Sequence, residues 1–241
     1  VLWGEAILLA MLWLASPFRF LPKPGEVFRA LGDLWTNYGL GGELLTSLLL
    51  NVEALIVAAL LSVVLAYLST VALFRPAVML IGKLRFLSLI GLTFFFTMAV
   101  HSGHQLKLSL EVFSVAVFFV TGMVDVVAGI PKEKYDLART LRMGPWRTLW
   151  EVVVLGQADK AFDVLRQNAA IGWMMLSMIE SMARSEGGVG ALLVTQNRHF
   201  YLAAVFAIQL SILGLGLLQD YAIGFLRKLC CPYADLAMEK K

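Results

Sequence analysis

Apolar side chains run in long blocks along this chain rather than alternating or recurring on one face. Six stretches, at roughly 1–16, 48–73, 86–100, 108–128, 165–182 and 202–223, read as membrane spans. Each crossing of a hydrocarbon core needs about 20 apolar residues, and only a helix satisfies its own backbone within one segment. The pattern therefore predicts an all-α, polytopic membrane protein with about six transmembrane helices. The first and third stretches are short. Residues 1–16 carry no basic residue ahead of their apolar run, unlike a cleaved signal peptide.

Two segments break the block pattern. Residues 24–36 open with Pro24 and Gly25, then place Val27, Ala30, Leu31, Leu34 and Trp35 on one helical face. Glu26, Arg29 and Asp33 take the opposite face, so a helix lying flat on the outer surface is expected, with Trp35 at the headgroups. The second is a long loop, about 129–164. Pro131 opens a helix over 132–142. Gly144 is placed to close it in a left-handed turn, and Pro145 starts a second helix with an apolar stripe of Trp146, Leu149, Trp150, Val153 and Val154. This helix–turn–helix elbow, at 132–154, is too elaborate for a simple connector.

Composition sharpens the class. Of the 241 residues 59% are hydrophobic and 15% charged, and the mean hydropathy is +0.78. A soluble domain of this size cannot hide so much apolar surface. Six spans leave room only for short loops, so 1–241 is expected to be a single transmembrane domain. The net charge of +3 and the absence of a free-standing basic block exclude a nucleic-acid partner. Fourteen Lys and Arg residues fall in one set of loops, including Arg75, Lys83 and Arg85, against six in the other. By the positive-inside rule the first set is cytoplasmic, and both termini with it.

Metal or thiol chemistry is not expected. Cys230 and Cys231 are adjacent, and His101, His104 and His199 map to outer loops without a carboxylate or cysteine close in sequence. In the fifth span Trp173, Ser177, Glu180 and Arg184 share one face, with Asn168 and Gly172 nearby. The face is open to two readings, a stripe lining a pathway or an i, i+4 Glu180–Arg184 pair tying down the helix end.

The run Tyr135-Asp136-Leu137-Ala138-Arg139-Thr140-Leu141-Arg142-Met143-Gly144 resembles the coupling-loop motif of ABC importer permeases, specifically the nitrate/sulfonate/taurine family. Leu21-Pro22-Lys23-Pro24-Gly25-Glu26-Val27, Ser102-Gly103-His104-Gln105-Leu106-Lys107, and Trp173, Glu180 and Gly187-Gly188-Val189-Gly190 are similar to further family features. Asp136 and Leu137 replace the usual Glu and Ala, and Gly156 stands where a proline is expected after Leu155.

The resemblance implies a type I importer permease without enzymatic activity of its own. It pairs with a second copy in a bacterial-type plasma membrane and receives a small solute (nitrate, sulfonate, taurine or bicarbonate) from an external binding protein. Tyr135, Asp136, Ala138, Arg139, Leu141, Arg142, Gly144 and Trp146 then couple to a cytoplasmic ATPase. Asn168, Gly172, Trp173, Ser177 and Glu180 line the pathway. The chain has no phosphate loop, so ATP and magnesium belong to the ATPase, and no cofactor is expected here. The competing classes are a vitamin-type solute-binding subunit or secondary transporter, and an integral-membrane enzyme or scaffold.

Overall fold

The computed structural model describes residues 22–69 and 74–232, so the predicted span at 1–16 lies outside the described residues. Every regular element among them is helical. Three helices, α2 (Leu40–Leu68), α5 (Gly103–Ala128) and α10 (Leu202–Cys230), are long and apolar enough to cross a membrane. On α2 a single face carries Leu45, Leu49, Val52, Ile56, Leu60 and Val64, all exposed. Water would not tolerate such a face, and lipid is its natural solvent. The fold is all-α and polytopic, and the protein is a membrane protein.

The described residues gather into two compact units. The first comprises residues up to Leu49 together with Leu176–Leu215. It begins with α1 (Pro24–Asn37), the expected amphipathic helix. Pro24 sits in its first turn, where its missing N–H costs nothing. The Glu26 carboxylate accepts the Lys23 backbone N–H at 3.2 Å. Val27, Ala30 and Leu34 are buried, whereas Trp35 is exposed. They pack with Leu40, Leu44, Val189, Ala203, Ala204, Ala207 and Ile208 into one core. A short helix that the block pattern does not show, α9 (Val189–Arg198), supplies Val189.

The second unit comprises Leu50–Met175 and the residues from Gly216 onward. Its core joins Leu55, Ala58, Val115, Phe119, Met123, Ala169 and Ile223. Arg166 forks onto Asp220, Nε to Oδ1 at 2.8 Å and Nη2 to Oδ2 at 2.5 Å. Arg227 donates to Asp163 at 2.8 Å. His104 Nε2 lies 3.3 Å from Glu53 Oε2, a carboxylate distant in sequence. No three metal-ligating groups cluster among the described residues.

Three expectations change. The third predicted span, 86–100, is only the eleven-residue α4 (Leu89–Ala99). It follows α3 (Arg75–Lys83) and the 3₁₀ turn Leu84–Phe86 across a bend of 111°. Counting that bent pair as one crossing adds a fourth span. Arg85, assigned above to an inner loop, instead lies beside the middle of α5. The fifth span starts earlier, as α8 (Ala158–Met182). It matches the other spans in length, but Arg166, Gln167, Asn168 and Glu180 interrupt its apolar run.

Packing in the second unit is tight where α5 meets the start of α8. A Cβ on Gly122 would lie 2.9 Å from Val164 Cγ1. Gly122→Leu is expected to destabilise by about 1–3 kcal/mol through overpacking, and adding Val164→Ala to recover most of the loss. Thermal melts of the purified variants measure both.

Candidate coupling elbow and buried polar networks

The elbow begins at α6 (Lys132–Thr140). Its end is a Schellman motif: Arg142 N–H donates to the Arg139 carbonyl at 2.9 Å, and Met143 N–H to the Ala138 carbonyl at 3.0 Å. The left-handed residue that this motif requires is Arg142, at φ 52°. Gly144, expected in that role, is extended at φ −67°, ψ 162°. The cause is Pro145, whose ring pushes the preceding residue out of helical space. The turn therefore closes two residues earlier than expected.

After α7 (Pro145–Thr148) the chain winds as a π-helix over Leu149–Val154, then as a 3₁₀ turn over Leu155–Gln157, before α8 begins. Rewinding breaks the stripe expected of one α-helix. Val153 is buried, while Trp146 is 82% and Trp150 60% exposed. Gly156, in place of the family's proline, has its Cβ position 3.1 Å from the Glu151 carbonyl.

Ala138 turns inward and Tyr135 is half-buried; burial pushes the Tyr135 phenol above its ordinary pKa. Asp136, Arg139, Leu141, Arg142, Gly144 and Trp146 are exposed. Arg147 Nε donates to Glu151 at 2.7 Å, and this hydrogen bond raises the guanidinium pKa further. The outer face of the elbow thus joins apolar Leu137, Leu141, Trp146 and Trp150 to cationic Arg139 and Arg142.

The residues expected to line a pathway are mostly buried in the chain itself. In the first unit Glu180 is 1% exposed. Its carboxylate accepts Ser47 Oγ–H at 2.7 Å and Gly190 N–H at 2.8 Å. Ser47 Oγ accepts Val189 N–H at 3.0 Å, and Glu43 accepts Gly188 N–H. Two carboxylates thereby meet the N-terminus of α9, where the helix dipole favours negative charge. Gly187 and Gly188 have φ of 70° and 101°, which side chains rarely adopt. A Cβ on Gly188 would strike the Glu180 carboxylate, and one on Gly190 the Ser177 carbonyl. Gly188 is thus the imprint of a carboxylate brought against the backbone, and Gly190 of the close approach of the Ser177 carbonyl. Arg184 Nε donates to the Ser181 carbonyl at 3.0 Å rather than to Glu180, against the second of the two readings of that face.

In the second unit Trp173 Nε1–H donates to Gln219 at 2.6 Å, and Gln219 Nε2 to Asn51 Oδ1 at 3.1 Å. Indole nitrogen only donates, so it fixes the direction of the whole chain. Gly172 makes room for Asn51, whose Nδ2 would lie 2.9 Å from a Cβ there. Asn168, also buried, turns its amide back to the Val164 carbonyl at 2.8 Å. Ser177 is half-buried. Glu43, Ser47, Asn51 and Gln219 were missed. The signal was there for Ser47 and Asn51, polar residues one helical turn apart within an apolar run.

No family model matches the chain. It is similar to the bicarbonate transport system permease protein CmpB of Synechocystis sp., 21% identical over 126 residues, 49% of this chain and 45% of the relative. The match thus spans under half the length of that protein. Among solved structures the chain is similar to one titled as an amino acid ABC transporter with histidines. That likeness has a TM-score of 0.60 and 12% identity, and covers 83% of this chain and 95% of that one. The fold is accordingly that of a type I ABC importer permease, as the motifs anticipated.

Hydrogen bonds to a buried charged group are each worth about 1.5–3 kcal/mol. Glu180→Ala is expected to destabilise by about 2–4 kcal/mol and Ser47→Ala by less. Because the two share one network, the double variant should lose clearly less than the sum. Denaturation of all four forms in the same detergent measures the coupling, and full additivity would contradict the network.

Proposed function

We propose that this chain is the transmembrane subunit of an ATP-driven importer for a small solute, coupled through the 132–154 elbow to a separate cytoplasmic ATPase. The observation that carries the reading is the outer face of that elbow. Exposed Leu137 and Leu141 stand on a helix end closed by a Schellman motif, with exposed Arg139 and Arg142, and exposed Trp146 and Trp150 follow on the next segment. Aromatic and arginine side chains of this kind anchor protein interfaces. A connecting loop with no partner has no use for them.

A second copy of the chain completes the pathway, and an external binding protein delivers the solute. The names of the two similar proteins support transport of a small solute, and nitrate, sulfonate, taurine and bicarbonate are the candidates. Hydrolysis of ATP, with its magnesium, belongs to the ATPase. The excess of Lys and Arg in one set of loops supports a cytoplasmic side for the elbow and both termini, in a bacterial-type plasma membrane.

Trp146→Ala is expected to weaken ATPase association by about 2 kcal/mol, roughly thirty-fold, while the thermal melt of the chain alone stays unchanged. Gly144→Val should leave the elbow folded, since a Cβ there meets nothing within 4 Å; its effect on docking reports the partner's approach alone. Co-purification of the ATPase with each variant is the assay. Undiminished recovery with Trp146→Ala would remove the elbow from the interface.

Orientation has its own test. Cysteine in place of Ser102 should react with a membrane-impermeant thiol reagent applied from outside, and cysteine in place of Lys134 only after permeabilisation. The reverse pattern contradicts the placement of the elbow.

A further inference from the structure

Arg85 is a charged side chain set beside an apolar helix. It lies in the 3₁₀ turn between α3 and α4. With Phe113, Ser114, Val117, Phe118 and Met175 it lines a cleft of about 70 Å³. Phe113–Phe118 is the middle of α5, one of the helices long and apolar enough to cross the membrane. Arg85 therefore lies beside the middle of an apolar, membrane-length helix, and an ionisable group at membrane depth is costly and faces water, a partner or the protein interior. Arginine cannot escape the cost by losing its proton.

Its surroundings do not neutralise it. Arg85 is exposed, and none of the ion pairs among the described residues includes it. It makes a cation–π contact with the Phe86 ring, whose centroid lies 5.2 Å from Cζ. A cation–π contact of this kind does not consume the N–H donors of the guanidinium. Hydrocarbon offers these donors no acceptor. An aqueous path carrying anions does.

We propose that Arg85 is the solute-contacting residue of the translocation path, and that the cleft receives a small oxyanion. The guanidinium fork matches the paired oxygens of such a group bidentately. Apolar walls at Phe113, Val117 and Phe118 keep the local dielectric low and strengthen that attraction. The volume admits only a few water-sized groups, which favours a compact anion over a bulky one. The inference rests on the importer reading and adds to it the residue that meets the solute.

Leu87 lines the same cleft and is half exposed, so cysteine there is a reporter. Cys230→Ser and Cys231→Ser remove the chain's own thiols. The full chain carrying Leu87→Cys is placed in lipid nanodiscs and treated with anionic and cationic thiosulfonates of equal size. The anionic reagent should react at least tenfold faster. Sodium nitrate, at constant ionic strength, should slow it.

Arg85→Gln should abolish both the preference and the nitrate effect, and Arg85→Lys should keep the preference. Equal rates with Arg85 in place mean that a carboxylate of a second copy already neutralises it, and overturn the proposal. So does labelling by a lipophilic maleimide alone, which places the turn against lipid or a lipid phosphate. Neither outcome touches ATPase co-purification through the elbow, so failure here is separable from failure of the importer reading.

Discussion

A carboxylate taken out of water must find donors, and Glu180 finds them on three fronts: the hydroxyl of Ser47, the backbone of Gly190 and the positive end of α9. This constraint organises the first unit. It fixes why a serine stands in an otherwise apolar helix and why the chain turns through two glycines at positive φ. It also fixes why nothing larger than glycine fits at 188. Removing the carboxylate strands the Ser47 hydroxyl and the Gly190 N–H in an apolar core at once, so the two bonds fail together.

The second unit follows the same logic with neutral groups and ion pairs. Trp173, Gln219 and Asn51 form a chain whose direction the indole sets, and two arginine–aspartate pairs fasten α8 to α10. Buried hydrogen bonds such as the Trp173–Gln219–Asn51 chain specify which helix faces meet, where apolar packing alone leaves the choice open. With the helices held this way, the elbow between α5 and α8 is presented as a fixed shape. Its apolar and cationic residues point away from the bundle rather than into it.

Much of this was legible from the order of residues. Long apolar blocks mark the spans because lipid demands them, and the face of α1 could be read because period and burial agree there. The elbow was legible in outline from Pro131, Gly144 and Pro145. Its detail was not, because glycine preference and proline geometry compete at 142–145, and the extended residue that Pro145 requires displaced the left-handed turn onto Arg142. The bend of 111° ahead of α4 was illegible, since hydropathy averages over a break. The partners of Glu180 and Trp173 lie more than forty positions away in sequence or on unpredicted helices. Only the lone polar residues Ser47 and Asn51 advertised them.

If the elbow docks an ATPase, amide hydrogen exchange should register it without any substitution. The full chain in nanodiscs, with and without the ATPase, should differ by protection concentrated in 132–157, strongest from Leu141 through Trp150. The segments 24–37 and 199–201 should stay unchanged. Protection on those two segments instead, or none in the elbow while the subunits are bound, would contradict the account.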